Sequence, residues 1–418
     1  MLKDPSAILT LILVIVSAGF ILETVLDFLN IKSRKKDIPS EVSSFYDHAR
    51  YEQSLKYNRE VTKFGLLTGT VGFIATFLML MFGGFGLIDQ YIRQFVQSEL
   101  WIPVAFFGVI FIASDILTLP FQYYRTFVIE EKFGFNRSSI KTFFLDKIKG
   151  YLLGALIGIP ILLLLIFLIG RMGPDFWWIF WIVAALFILF INAFYTTLIV
   201  PLFNKLTPLE DGELKTAIES YSRNVGFPIQ NIYVIDGSKR SSKSNAFFSG
   251  LGKRKKVVLY DTLIQNHTTA ELVAVLAHEI GHYKRNHIIK GFILSIAQTG
   301  LMLFIMSRVI FNESFSVALG ANSYGIHLNL LTFTLLYSPI STVLGIISNL
   351  ISRKHEFQAD EFASVTFKPE AMKNALKKLS VDNLSNLYPH PAYVFVNYSH
   401  PPLLTRIAAI DQAAVRRH

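Results

Sequence analysis

Apolar residues fall in seven blocks along the chain, separated by short polar stretches and two long ones. A hydrocarbon core about 30 Å thick is crossed by about 20 helical residues. The blocks therefore predict transmembrane helices at Ile8–Leu26, Phe64–Phe82, Ile102–Phe121, Tyr151–Gly170, Trp177–Pro201, Gly291–Ile310 and Leu328–Ile351. Asp115, Pro120 and Pro339 interrupt two of them. The first block lacks a basic leader and a small-residue cleavage site, so it reads as a span and not as a signal peptide. Within the polar stretches, Ile232–Ile235 and Lys256–Leu259 are β-branched, apolar runs bounded by polar residues and read as short strands. Thr268–His287 reads as a helix: Thr268 or Thr269 can cap it, Glu271 falls in its first turn, and Leu272, Val275, Leu276 and Ile280 recur at helical spacing. The pattern predicts a mainly α, polytopic membrane protein. Residues 1–201 hold the first five spans, 202–290 a polar region with the predicted helix, 291–351 the last two spans, and 352–418 a second polar region.

Composition agrees. Of 418 residues, 52% are hydrophobic and only 17% charged, with 37 Phe, which is too apolar for a soluble domain. The absence of cysteine excludes disulfides, a thiol nucleophile and cysteine-ligated metal sites. The net charge of +10 is concentrated in two loops. Lys32, Arg34, Lys35, Lys36, Arg50, Lys56, Arg59 and Lys63 lie between spans one and two, and Arg125 to Lys149 between three and four. The alternate loops carry little more than Arg93 and Arg171. The positive-inside rule then expects both long polar regions on the cytosolic side. Basic charge so placed suits anionic lipid and argues against a nucleic-acid partner.

The predicted helix contains His278-Glu279-Ile280-Gly281-His282, an H-E-x-x-H motif. Two histidines four apart share a helix face and can reach one zinc ion. The intervening Glu279 can take a proton from the attacking water. A third ligand must come from elsewhere. The metzincin pattern is excluded, because Arg285 and Ile288 stand where Gly and His would be required. His287, nine residues from His278, would be half a turn out of phase on a continuous helix and reads as a solvated or headgroup histidine. The run Ser352–Asp360 leaves the last span at the membrane face where the sixth begins, so a hairpin brings it beside the histidines. There Glu356 and Asp360 share a face, and one can bind metal while the other orients a ligating histidine. Glu361 is the alternative ligand. His355 points about 100° away from Glu356.

Further segments carry a resemblance. Glu130-Glu131-Lys132-Phe133-Gly134-Phe135-Asn136, Pro201-Leu202-Phe203-Asn204-Lys205 with Thr207-Pro208-Leu209, Ser244-Asn245-Ala246-Phe247-Phe248, the H-E-x-x-H, Ser352-Arg353…Glu356…Ala359-Asp360 and Ser399-His400-Pro401-Pro402 occur in this order between the predicted spans. The chain resembles the seven-span zinc CAAX prenyl proteases over most of its length. That resemblance implies seven helices around a water-filled chamber, which Glu23 and Asp115 at membrane depth would suit, and a gluzincin-like peptidase domain with a small β-sheet. It implies one Zn2+ per chain, held by His278, His282 and Glu356 with Asp360 behind them, and Glu279 as general base. Asn245 and Ala246 would hold the substrate backbone on an edge strand, and His400 and Arg406 would contact substrate or the developing oxyanion. The implied reaction removes the last three residues of a prenylated CAAX protein or peptide. Two other readings stand beside it: a membrane-protein quality-control protease with the same metal site, and a seven-span transporter or receptor. The expected location is a bacterial inner membrane or the endoplasmic reticulum. Arg416-Arg417-His418 forms no recognisable ER-retention signal.

Overall fold

The computed structural model describes residues 3–227, 229, 231–249 and 256–415, and structural statements refer to these; Arg416–His418 lie outside them. The apolar blocks are helical, and several ends are fixed by acidic or hydroxyl caps. Helix α1 (Pro5–Lys32) starts at Asp4, whose carboxylate accepts from the Ser6 amide; α2 (His48–Met81) starts at Asp47, which accepts from Arg50. A short α3 (Gly84–Arg93) precedes α4 (Ile102–Tyr124), which runs on through a wide π turn. Next come α5 (Ile140–Met172), capped by Ser139, then α6 (Phe176–Phe194) and the single turn α7 (Val200–Phe203).

Six stretches are long and apolar enough to cross a membrane, not the seven separate spans expected. The difference lies at one turn. The expected fourth and fifth spans form one 64-residue stretch, Ile140–Phe203. Straight, it would run about 96 Å, roughly three hydrocarbon thicknesses. Gly173, at φ 57°, and the 3-10 turn Gly173–Asp175 break it, and the flanking Leu168, Ile169, Phe176 and Phe180 pack in one core with Leu303, Met306 and Phe333.

At one end of the bundle sits a four-stranded sheet. It comprises β1 (Leu206–Pro208), β2 (Asn231–Ile235), β3 (Ala246–Ser249) and β4 (Lys256–Tyr260), in the order β1-β2-β4-β3. The β2–β4 pair is parallel and the others antiparallel, so β3 ends the sheet with one edge unpaired. Helices α8 (Glu213–Asn224), α9 (Asp261–Asn266) and α10 (Thr269–Lys284) pack on it around Ile218, Val257, Leu259, Leu272 and Leu276. Then follow α11 (His287–Val309), α12 (Glu313–Ala318), the 41-residue α13 (Ile326–Thr366), α14 (Pro369–Asp382), α15 (Pro391–Asn397) and α16 (Leu403–Val415).

Polar contacts tie this sheet to the membrane helices. Glu130 accepts from the Tyr57 hydroxyl and from Lys243, just before β3 (2.9 and 3.0 Å). Arg240 makes a bidentate pair with Asp146 (2.7 and 2.9 Å), and the Asn204 amide donates to Asp236 (2.9 Å). The Glu130–Asn136 and Pro201–Lys205 motifs therefore orient the sheet against the bundle.

Candidate active site

Helix α10 begins with a full capping box between Thr268 and Glu271, and Glu271 also accepts from Lys378 of α14 (2.7 Å). These contacts fix the entry of the helix that carries the H-E-x-x-H residues. Its crossing of α13 depends on Gly281. A Cβ there would lie 3.1 Å from the Ala359 Cα and 3.1 Å from the Phe362 Cβ, so no side chain fits without a shift. The close approach of two small residues brings α10 and the far half of α13 together. Helix α13 does not stop at the expected end of its span, Ile351; it continues to Thr366 and carries Glu356 and Asp360 on one rigid element.

His278, His282 and Glu356 converge on a point. Nε2 of His278 and Nε2 of His282 are 3.1 Å apart. The Glu356 oxygens lie 3.5 Å from the first and 3.2 Å from the second. Nitrogens bound tetrahedrally at about 2.05 Å sit roughly 3.3 Å apart, so the spacing suits one small cation. Glu356 is only 4% exposed, and its Oε2 has no hydrogen-bond partner. Its nearest positive charge is Arg406 at 3.4 Å, so the buried carboxylate is only loosely satisfied and a cation at the point of convergence would complete its shell. The donor set fits a metal.

Each histidine is held from behind, in a different way. Nδ1 of His278 bonds the Asp360 carboxylate at 2.8 Å, and Asp360 takes a bidentate pair from Arg406 (2.8 and 2.7 Å). Burial acts to lower the His278 pKa, but the hydrogen bonds to Asp360 and Glu356 outweigh it and raise it to about 9. Burial likewise acts against the Arg406 charge, and Asp360 and Glu356 more than offset it. Arg406 also reaches Glu356 at 3.4 Å. Nδ1 of His282 lies 3.1 Å from Nδ1 of His287, whose Nε2 meets the Gln358 amide oxygen at 2.9 Å. The His287 ring stacks on His355 with centroids 3.9 Å apart.

His287 is therefore not the solvated histidine that its phase suggests; it is 5% exposed. The phase argument assumes one continuous helix, whereas α10 ends at Lys284 and Asn286 turns into the left-handed region at φ 57°. The usable signal was Asn286, a residue type that tolerates that conformation. Glu361 is drawn away from the metal position towards Arg285 (3.6 Å).

Glu279 is half-buried and faces a cavity of about 470 Å³ lined by Phe247, His282, His287, Ile288 and Ile351 among others. Burial raises its carboxyl above the ordinary range, partly countered by His278 and His282. That shift suits a proton acceptor working near neutrality. His400 projects from the Ser399–Pro402 turn to 3.4 Å from Glu356, with a largely exposed side chain. The turn is held by α13: Asn349 donates to the Val396 carbonyl (2.7 Å), and Arg353 donates to those of Val394 (3.0 Å) and Tyr398. Asn245 is exposed at the head of β3, and its side-chain oxygen accepts from the Ala246 amide (2.8 Å). Phe247 of the edge strand lines the first cavity together with Glu279 and His282, and a second cavity of about 410 Å³ lies beside His400 and Arg406. Deeper in the bundle, Asp115 faces protein, accepting from Lys147 (2.7 Å) and from the Tyr151 hydroxyl. Glu23 accepts from Asn397 at 3.5 Å.

Comparison with known proteins bears on the same residues. A family model described as CAAX prenyl protease N-terminal, five membrane helices, matches residues 27–205. One described as Peptidase family M48 matches residues 208–414. CAAX prenyl protease 1 of Saccharomyces cerevisiae is 34% identical over 414 residues, spanning 92% of this chain and 91% of that protein. The CAAX prenyl protease 1 homologs of Arabidopsis thaliana and Homo sapiens are 35% and 32% identical, over 94% and 89% of this chain and 95% and 88% of their own lengths. The crystal structure of S. mikatae Ste24p superposes with a TM-score of 0.91 at 34% identity, covering 97% of this chain and 99% of that one.

Proposed function

The chain belongs to peptidase family M48, and from that premise we propose that it is an integral-membrane zinc metalloendopeptidase that removes the last three residues of prenylated CAAX proteins or peptides. The observation that carries the proposal is the meeting of His278, His282 and Glu356 beside an unpaired sheet edge, at the foot of helices apolar enough to span a bilayer. One Zn2+ per chain, when bound there, lowers the pKa of water and polarises a carbonyl. Glu279 takes the proton of the attacking water, its carboxyl tuned upward by burial, and returns it to the leaving amine. Asp360 and Arg406 keep the Nδ1 proton on His278, which leaves Nε2 free for the metal. Asn245 and Ala246 hold the substrate backbone extended along β3, as strand addition to a sheet edge does. Arg406 supplies positive charge, and His400 an N–H donor, where charge develops on the scissile carbonyl.

A prenyl chain contributes about 0.8 kcal/mol per buried CH₂, so such a substrate is already concentrated in the bilayer. The basic loops support a peptidase end on the cytosolic side, where prenylated proteins are exposed. The test is cleavage of a farnesylated CAAX peptide and its unprenylated twin by the purified zinc-loaded chain, with and without a chelator. Chelator-sensitive cleavage after the cysteine, strongly favouring the lipidated peptide, is expected. Equal cleavage of both would make it a membrane-protein protease of wider specificity, and cleavage of neither would overturn the assignment.

A further inference from the structure

The cavity beside Glu279 does not end at the metal position. A third space, of about 410 Å³, adjoins it between α6 and α11, with Ile188, Leu189 and Asn192 on one wall and Ile289 and Phe292 on the other. Ile288, Gly291 and Ser295 of α11 line both spaces. Spaced three and four residues apart, they form a stripe on one helix face. Ser348 and Ile351 of α13 flank the stripe towards the metal, and α6 flanks it on the far side. The two spaces form one slot that crosses α11 from the metal position to the gap between two spans.

The slot exists because α6 and α11 are pinned at one level and part towards the peptidase end. Trp181 occupies the place of a side chain at Gly300, where a Cβ would lie 2.9 Å from its ring. Its indole N–H donates to the Ile296 carbonyl (2.8 Å), and Trp177 meets Phe304 edge-on with centroids 5.3 Å apart. Nine residues earlier on α11, about 14 Å along the axis, a Cβ on Gly291 would meet nothing within 4 Å. A glycine inside a helix costs about 1 kcal/mol relative to alanine. At Gly300 the contact with Trp181 offsets that cost. At Gly291 no protein contact does, and the missing side chain leaves the floor of the slot open.

The chemistry of the walls selects the occupant. The Asn192 amide is turned back onto the Ile188 carbonyl (2.8 Å), which leaves the lining largely aliphatic. At the far rim, Leu189 and Ile289 are 40% and 53% exposed on two helices apolar enough to span a bilayer. A lipid chain that reached the metal through water would lose about 0.8 kcal/mol for each CH₂ drawn out of the hydrocarbon. Along the slot it stays against Ile188, Leu189, Ile288 and Ile351 until the residue that carries it arrives beside Glu279.

We propose that the prenyl chain of the substrate lies in this slot, crossing α11 over Gly291 and running out between α6 and α11, and that Gly291 sets how long and bulky a chain is accepted. The inference rests on the peptidase reading above and adds where the lipid lies and which residue selects it.

The first test needs no turnover. A CAAX peptide whose farnesyl chain ends in a photoactivatable diazirine is bound to the full-length zinc-loaded Glu279→Gln chain and irradiated, and the labelled residues are mapped by mass spectrometry. Label is expected on residues 188–192 of α6 and 288–295 of α11. Excess farnesylated peptide should displace it, and the unprenylated twin should not. Label confined to other helices, or equal labelling of the slot by a diazirine-bearing fatty acid under the same competition, would overturn the proposal. Displaceable farnesyl label in the slot without cleavage of any CAAX peptide would support the slot and fail only the assigned reaction. The second test reads specificity. Gly291→Phe should lower kcat/KM for the farnesylated peptide about tenfold relative to its unprenylated twin, and further for a geranylgeranylated one. Leu189→Trp narrows the slot from α6 and should shift the same ratio in the same direction, so it remains informative if Gly291→Phe folds poorly. Equal losses for lipidated and unlipidated peptides, or an unchanged ratio in both variants, would contradict the assignment of Gly291.

Discussion

The two histidines of the metal position differ in what stands behind them. His278, buried in the α10–α13 contact, is backed by charge, the Asp360 carboxylate locked by Arg406. His282, on the cavity side, is backed by neutral groups, His287 and then Gln358. Away from solvent an ionised pair persists only when both members are fully bonded, and Asp360 and Arg406 satisfy each other in bidentate fashion. Beside the cavity, where substrate and water must pass, a neutral pair orients the ring without adding a fixed charge. The charged side therefore contributes to folding as well as to metal binding, and the neutral side mainly to metal binding.

Substitutions can break that comparison, and the largest effect lies outside both backing pairs. Glu279→Gln should lower turnover by about 10²- to 10⁴-fold while metal content and melting temperature stay near wild type; undiminished turnover would remove Glu279 from the reaction. On the charged side, Asp360→Ala leaves the buried Arg406 only its longer contact to Glu356 and should cost about 3 kcal/mol of stability, read as a lowered Tm in metal-free protein, together with weaker zinc binding. On the neutral side, His287→Ala should weaken zinc about 10- to 100-fold in a chelator competition. The Tm of the metal-free protein should fall less than in Asp360→Ala. Equal Tm losses in the two variants would erase the distinction. The smallest effect tests the contact that brings both sides together: Gly281→Ala should cost about 1–3 kcal/mol by pushing on Ala359 and Phe362, and an unchanged Tm would show that α10 and α13 can part freely.

Much of this arrangement was legible in the sequence because it depends on local rules. Helical spacing places His278 and His282 on one face, and Glu356 and Asp360 on another, whatever the tertiary structure. Thr268 and Glu271 mark the start of α10 by their own side-chain chemistry. Three features were not legible, each for a stated physical reason. The end of a span is not the end of a helix: α13 continues through Ile351 because nothing between Ser352 and Asp360 breaks it, so polar residues there mark the membrane boundary only. The count of spans differs at Gly173–Asp175, a turn so tight that the helical run continues through it and two apolar limbs form one 64-residue stretch. His287 was misjudged because a single left-handed residue, Asn286, resets the helical phase.

The central claim is that α13, continuing beyond its apolar part, supplies the third ligand to the metal. Zinc stoichiometry of the purified chain tests it directly, with Glu356→Ala compared to Glu361→Ala and to wild type after dialysis against a weak chelator. The structure predicts one zinc per chain in wild type and in Glu361→Ala, and a large loss in Glu356→Ala. Full occupancy in Glu356→Ala, or loss in Glu361→Ala instead, would contradict it.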